Sequence, residues 1–206
     1  MKEIVLYVEG DSDKAIAKAL LRCVLRELER AGVSLECRPA GGRNKLLWKI
    51  PKYVRLSLAE PGTLGVFALT DSDAPAHTAE EKLDELRQAA TAGTTAEMRR
   101  RVHTHVAVPQ IEAWLLADEA AVAEYLAALG VEVPESWPAP EELSNAEEDL
   151  KKLFRRIPGR LRGYMPTVDG PQIASRAHRD IVAKKCPRFR AFIEDLEETA
   201  RLSAQP

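Results

Sequence analysis

The residues best suited to chemistry are acids that stand directly after apolar runs. Glu9 follows Ile4-Val5-Leu6-Tyr7-Val8, while Asp71 and Asp73 follow the run from Leu64 to Leu69. A glutamate ending a buried strand is costly unless it is paired or coordinated. Side chains two apart in an extended segment point the same way, which would let Asp71 and Asp73 converge. Carboxylates gathered at one edge raise one another's pKa until a cation neutralises them. Hard oxygen donors without a neighbouring His or Cys suit Mg²⁺, or Mn²⁺, better than zinc. Asp13, four residues beyond Glu9, is a further metal candidate, although a first-turn acid on a helix dipole explains it equally well. Asp-Ser-Asp by itself is also a common capping tripeptide. Lys45, after Gly41-Gly42, could meet a phosphate as a point charge or be an ordinary surface lysine; the loop lacks the GxxxxGK[ST] pattern of a phosphate-binding P-loop. His103 and His105 alternate on one strand, His77 and His178 stand alone, and structural roles are expected for all four.

The elements that must position these acids can be read in order. The β-branched and aromatic run Ile4 to Val8 suits a central strand buried on both faces. Gly10 turns the chain, Asp11 or Ser12 can cap, and Ile16, Leu20, Val24 and Leu28 recur at helical spacing until Gly32. Val33 to Arg38 predicts a second strand. Leu46, Leu47, Ile50, Val54 and Leu58 predict a helix that Pro51 should bend or restart. Leu64 to Leu69 is a third strand, Thr78 to Ala92 a polar helix and Val102 to Val108 a fourth strand. Alternating strands and helices imply a parallel doubly wound sheet, whose ligands bind outside the carboxyl ends of the strands. Beyond Pro109 the pattern is helical: Ile111 to Ala117, Glu119 to Leu129, Ala146 to Ile157, Gln172 to Lys185 and Arg188 to Leu202. Trp114, Leu115 and Leu116 read as core and Asp118 as a cap. We therefore expect an α/β core over residues 1–118 and a helical extension over 119–206 packed on it.

Bulk properties fit a soluble globule of 206 residues, 45% hydrophobic and 30% charged. No run is long enough for a membrane span or a signal-peptide core, so a cytoplasmic location without membrane contact is expected. Three cysteines without CxxC spacing argue against a disulfide framework or zinc site and for reduced core thiols. The net charge of −2 averages two opposed blocks: seven acids and no Lys or Arg from Glu132 to Asp149, then twelve Lys/Arg against two acids from Lys151 to Arg190. A basic face of this kind attracts polyanions, with Arg155, Arg156, Arg160, Arg162, Lys184 and Lys185 as nucleic-acid contacts. Pairing of the basic block with the acidic one is the competing reading.

Val8-Glu9-Gly10-Asp11-Ser12-Asp13 and the later Asp71-Ser72-Asp73 resemble the two signature motifs of the Toprim domain of topoisomerases, primases and the OLD (overcoming lysogenisation defect) endonucleases. Pro109-Gln110-Ile111-Glu112-Ala113-Trp114-Leu115-Leu116-Ala117-Asp118 and Lys185-Cys186-Pro187-Arg188-Phe189 resemble small prokaryotic Toprim-like proteins often encoded beside an ATPase. The resemblance implies a Toprim/Rossmann-like, mostly parallel sheet flanked by helices. It also implies that Glu9 is a metal ligand or general acid/base and that Asp71 and Asp73 hold Mg²⁺ during phosphodiester chemistry. Glu112 is a further acid candidate, because its strand also ends at the active edge; a helix-N-terminal role competes. The region Gly163-Tyr164-Met165-Pro166-Thr167 lacks the lysine that related small proteins carry there, for which Lys184, Lys185 or Arg162 could substitute. The function so implied is a divalent-metal-dependent nuclease, in phage defence with an ATPase partner. The alternative is a non-catalytic binding or regulatory subunit, or a toxin component, acting through that ATPase. A topoisomerase or primase needs modules for which the chain has no room. The oligomeric state stays open, a homodimer included.

Overall fold

The computed structural model describes residues 2–73, 78–131, 139–157, 159 and 163–202. Four parallel strands form one sheet: β1 (Lys2–Val8), β2 (Val33–Pro39), β3 (Thr63–Asp71) and β4 (Val102–Ala107), in the order β2-β1-β3-β4. The chain moves outward from β1 to β2, then crosses back to place β3 on the other side of β1. The gap between the carboxyl ends of β1 and β3 is thus the point where strand order reverses, the usual ligand crevice of an open α/β sheet.

One sheet face, carrying Val5, Tyr7, Val66 and Ala68, is covered by α3 (Arg43–Ala59) and α4 (Ala79–Thr91). Leu46, Ile50, Val54 and Leu58 of α3 are buried there, as the periodicity predicts. Pro51 does not break this helix, which runs 17 residues without interruption. The opposite face, with Ile4, Leu6 and Val8, packs against a larger apolar cluster. To it contribute α1 (Asp11–Leu20), α2 (Arg22–Arg30), α6 (Ile111–Leu116), α7 (Glu119–Ala127), α8 (Ala146–Phe154), α9 (Asp169–Ala174), α10 (Arg179–Lys185) and α11 (Pro187–Leu202). A short α5 (Ala96–Arg99) leads into β4.

Two expected helices are each divided. The first breaks at Leu21, between α1 and α2; the second, expected from Gln172 to Lys185, becomes α9 and α10. Neither Asp11 nor Ser12 caps α1. Asp13 instead reaches back, its Oδ2 accepting the Gly10 backbone N–H at 2.8 Å. Aromatic contacts join the later helices to the sheet: Trp114 lies 5.0 Å from Phe189 and 6.0 Å from Phe192, and Phe192 meets Phe67 of β3 at 6.2 Å. Cys37 and Cys186 are buried thiols pushed up to about 12 by burial, whereas Cys23, expected in the core, is exposed. Among the described residues no helix is long and apolar enough to cross a membrane.

Candidate metal centre

The crevice is assembled by backbone amides as much as by side chains. Glu9 leaves β1, and its carbonyl accepts the N–H groups of Gly41 at 2.9 Å and Gly42 at 2.6 Å, which ties the start of α3 to the edge. Its carboxylate turns toward β3, where Oε1 accepts the Thr70 hydroxyl and the Asp71 N–H at 3.1 Å. Asp71 ends β3, and its Oδ1 accepts the N–H of Ile111, the first residue of α6, at 2.9 Å. Ser72 and Asp73 are fixed by their N–H groups donating to Ala107 and Pro109 carbonyls, each at 2.9 Å.

Strand alternation does not carry through to Asp73. Its φ of 52° is left-handed, so its side chain departs from the direction of Asp71, is half exposed and pairs with Arg43 at 3.3 Å. Arg43 also meets Glu85 at 3.4 Å.

The electrostatics show what the geometry leaves uncompensated. Burial raises Asp71 well above the usual carboxylate range, and the charges of Asp13, Glu112, Glu9 and Asp73 push the same way. Glu9 is raised by burial in spite of its bonds from Thr70 and Asp71, with Asp13 and Asp73 adding repulsion. Asp13 is raised by burial against the bonds from Gly10 and Ser12. Glu112, at 5% exposure, is raised to about 7 by burial, with Asp13 and Glu147 contributing. These groups thus share one crevice and one excess of negative charge.

An all-oxygen donor set of mutually repelling carboxyls fits a hard divalent cation in its chemistry. As placed, however, no three His, Cys, Asp or Glu side chains among the described residues are gathered closely enough to enclose an ion. Glu9, Asp13 and Asp71 each spend an oxygen on a backbone N–H, while Asp73 is held aside by Arg43.

Lys45 lies over the Gly41 loop: a Cβ built at Gly41 would stand 3.4 Å from its Cδ and 3.7 Å from its Nζ. Tyr164, which the sequence does not single out as a partner, is buried with its hydroxyl 3.5 Å from Glu112 Oε1. Beneath it Asp169 accepts the Met165 N–H at 2.7 Å and the Tyr125 hydroxyl at 2.9 Å. Asp118 is a cap, accepting Ala121 N–H at 3.3 Å and His178 N–H at 2.8 Å. His103 stacks on Phe67 and faces Thr199 Oγ1 at 3.3 Å, and His105 Nε2 lies 3.2 Å from Asp195, so both are structural; His77 lies outside the described residues.

The basic block is mostly matched by acids. Lys151 meets Glu147 and Glu148, Lys152 meets Asp149, Arg155 lies 3.7 Å from Glu148, and Lys185 lies 3.0 Å from Glu119. Arg156 and Lys184 are exposed, and Arg160 and Arg162 lie outside the described residues.

The sheet, its flanking helices and the acidic crevice define a Toprim/Rossmann-like α/β protein. Its structure is similar to the C-terminal region of the OLD protein of Burkholderia pseudomallei, with a TM-score of 0.55 and 18% identity over 97% of this chain and 99% of that one. It is likewise similar to the C-terminal region of the OLD protein of Xanthomonas campestris pv. campestris, with a TM-score of 0.53 and 19% identity over 98% of each chain. The chain belongs to the family described as a domain of unknown function, DUF4276, whose model matches residues 8–197. No curated protein matches it.

Proposed function

We propose that the protein is a divalent-metal-dependent nuclease. The observation that carries this reading is the set of carboxyls at the β1/β3 crevice, Glu9, Asp13, Asp71 and Glu112, each raised by burial and by its neighbours' charge. Such a set is stable only when protonated or when a cation lies among it. Glu9, Asp71 and Asp73, with Asp13, would hold Mg²⁺ or Mn²⁺. That ion, when bound, polarises a phosphoryl oxygen and stabilises the charge that develops on it.

The remaining work falls to the chain. Thr70 and the Asp71 amide orient the Glu9 carboxylate, and the Ile111 amide orients Asp71. Glu112, titrating near neutrality, can take or return a proton at the pH of the cell, and the Tyr164 hydroxyl holds it in place. Lys45, at the rim, would meet a phosphate oxygen as a point charge.

A second reading is a non-catalytic or regulatory subunit working through an ATPase partner, as in phage defence. It is favoured by the absence of a lysine from the segment Gly163 to Thr167, where the resemblance implies one. Incubating the purified chain with Mg²⁺ or Mn²⁺ and labelled DNA and RNA, alone and with a neighbouring ATPase, separates the two. Cleavage that is lost in both Glu9→Gln and Asp71→Asn supports the nuclease; no cleavage under any condition leaves the subunit reading.

A further inference from the structure

One helix that leaves the crevice carries a charge imbalance opposite to that of the site. From Arg43 to Ala59, α3 contains five Lys or Arg residues and no Asp or Glu. Its buried face seats Leu46, Ile50, Val54 and Leu58 on the sheet. The opposite face presents Lys45, Trp48, Lys52 and Leu56, spaced so that they form one outward stripe. Trp48 is 79% exposed and Leu56 55% exposed. An indole so far out of the core gains nothing from folding, and together with Leu56 it interrupts a polar surface.

Three of the five cations on α3 have partners: Arg43 has Asp73 and Glu85, Lys49 donates to the Ala40 carbonyl at 3.3 Å, and Arg55 to the Ala92 carbonyl at 3.1 Å. Lys45 and Lys52, which flank Trp48, have no acid partner among the described residues, unlike Lys151, Lys152 and Lys185 of the later basic block. The stripe also has a direction. It starts at the Gly41-Gly42 loop bonded to the Glu9 carbonyl, with Lys45 folded over Gly41, and runs outward to Leu56 for about 16 Å along α3.

We propose that the outer face of α3 is the track on which a single-stranded nucleic acid approaches the acidic crevice, its phosphates on Lys45 and Lys52 and an unpaired base stacked on Trp48. This rests on the reading of the crevice as acting on nucleic acid. Charge complementarity selects a polyanion, and the exposed indole selects among polyanions. A base in a duplex hides its faces against its neighbours, whereas a single strand offers them, and aromatic platforms flanked by cations are how such strands are held. An acidic peptide would use the lysines but leave the indole without a role.

The test is binding without turnover: fluorescence anisotropy of a labelled oligothymidylate of about twenty nucleotides, in EDTA, across a salt series. Trp48→Ala should weaken binding at least about tenfold and Trp48→Phe should recover most of the loss. Lys45→Gln with Lys52→Gln should flatten the slope of log affinity against log salt by about 1.4. Melting curves should match the wild type, because these side chains are exposed. The proposal is overturned if Trp48→Ala binds within about twofold of wild type, or if a duplex or polyglutamate binds as tightly with the same dependence on Trp48. It also falls if Trp48 controls a dimer seen by light scattering while oligonucleotide affinity stays constant. Since no cleavage is involved, the two readings fail separately. Trp48-dependent binding without Mg²⁺-dependent cleavage would keep the track and remove the nuclease, and cleavage indifferent to Trp48 would do the reverse.

Discussion

The backbone amide of Ile111 donates to Asp71 Oδ1 across 2.9 Å, joining the end of β3 to the start of α6. An amide oxygen in place of the carboxylate oxygen can accept the same bond. Asp71→Asn should therefore keep the α6 connection while removing a carboxyl that burial and its neighbours' charge raise well above the usual range. In EDTA the variant is expected to melt a few degrees higher than wild type, about 2–4 °C for each kcal/mol relieved, and to lose about 100-fold or more in Mg²⁺-dependent cleavage. A lower melting temperature would show that the Asp71 charge is already compensated.

Glu112 links stability to pH. Its carboxyl is raised from 4.5 to about 7, so between those values the folded state keeps a proton that the unfolded chain has released. Stability is then full below pH 4.5 and declines as pH rises through 7. The decline attributable to this group is on the order of 3 kcal/mol. Glu112→Gln should flatten it, and added Mg²⁺ should restore wild-type stability at pH 8 by neutralising the neighbouring carboxylates. Urea titrations at pH 5 and pH 8, with and without Mg²⁺, read both effects.

Gly170 holds the segment carrying Tyr164 against α1. A Cβ there would stand 2.7 Å from Ile16 Cδ1 and 2.9 Å from the Tyr164 hydroxyl. Gly170→Ala should cost about 1–3 kcal/mol by overpacking. Adding Ile16→Ala, which removes both Cδ1 and Cγ1, each 2.7 Å from that Cβ, should recover part of that cost, giving a non-additive double-mutant cycle. Additive losses would mean that the two residues do not press on each other.

Reversing Arg155 and Arg156 to Glu tests the later basic block. Arg155 already faces Glu148, so the reversal should lower the melting temperature only slightly, as losing an exposed pair does. Nucleic-acid affinity should change less than in the Lys45/Lys52 double variant. A larger loss of affinity than in that variant would return the main contact surface to this block.

The sheet and its acidic edge are legible in the sequence because each depends on short-range pattern. Ile4 to Val8 is too evenly apolar for anything but a strand buried on both faces, and an acid directly after such a run lands at a strand end whatever the rest of the fold does. What escapes that logic depends on tertiary context. Asp73 shares a tripeptide with Asp71, yet it has a left-handed φ and is half exposed, paired with Arg43. Tyr164 and Asp169 look like loop residues, but their hydrogen bonds bury them under the site. Leu21 continues the apolar period, so nothing local marks the break between α1 and α2. Trp48 fits the helical period of α3 but falls on its outer side, and only the packed structure tells the two sides apart.

The aromatic contacts of Trp114 with Phe189 and Phe192, and of Phe192 with Phe67, have a bearing on biosynthesis. The part of the sheet face around Phe67 stays open to water until α11 has left the ribosome, since that helix supplies both phenylalanines. All four strands and every acid of the crevice are translated well before it. A nascent chain would thus hold its charged edge together on a half-covered sheet, the state in which chaperone contact and aggregation compete most directly with folding.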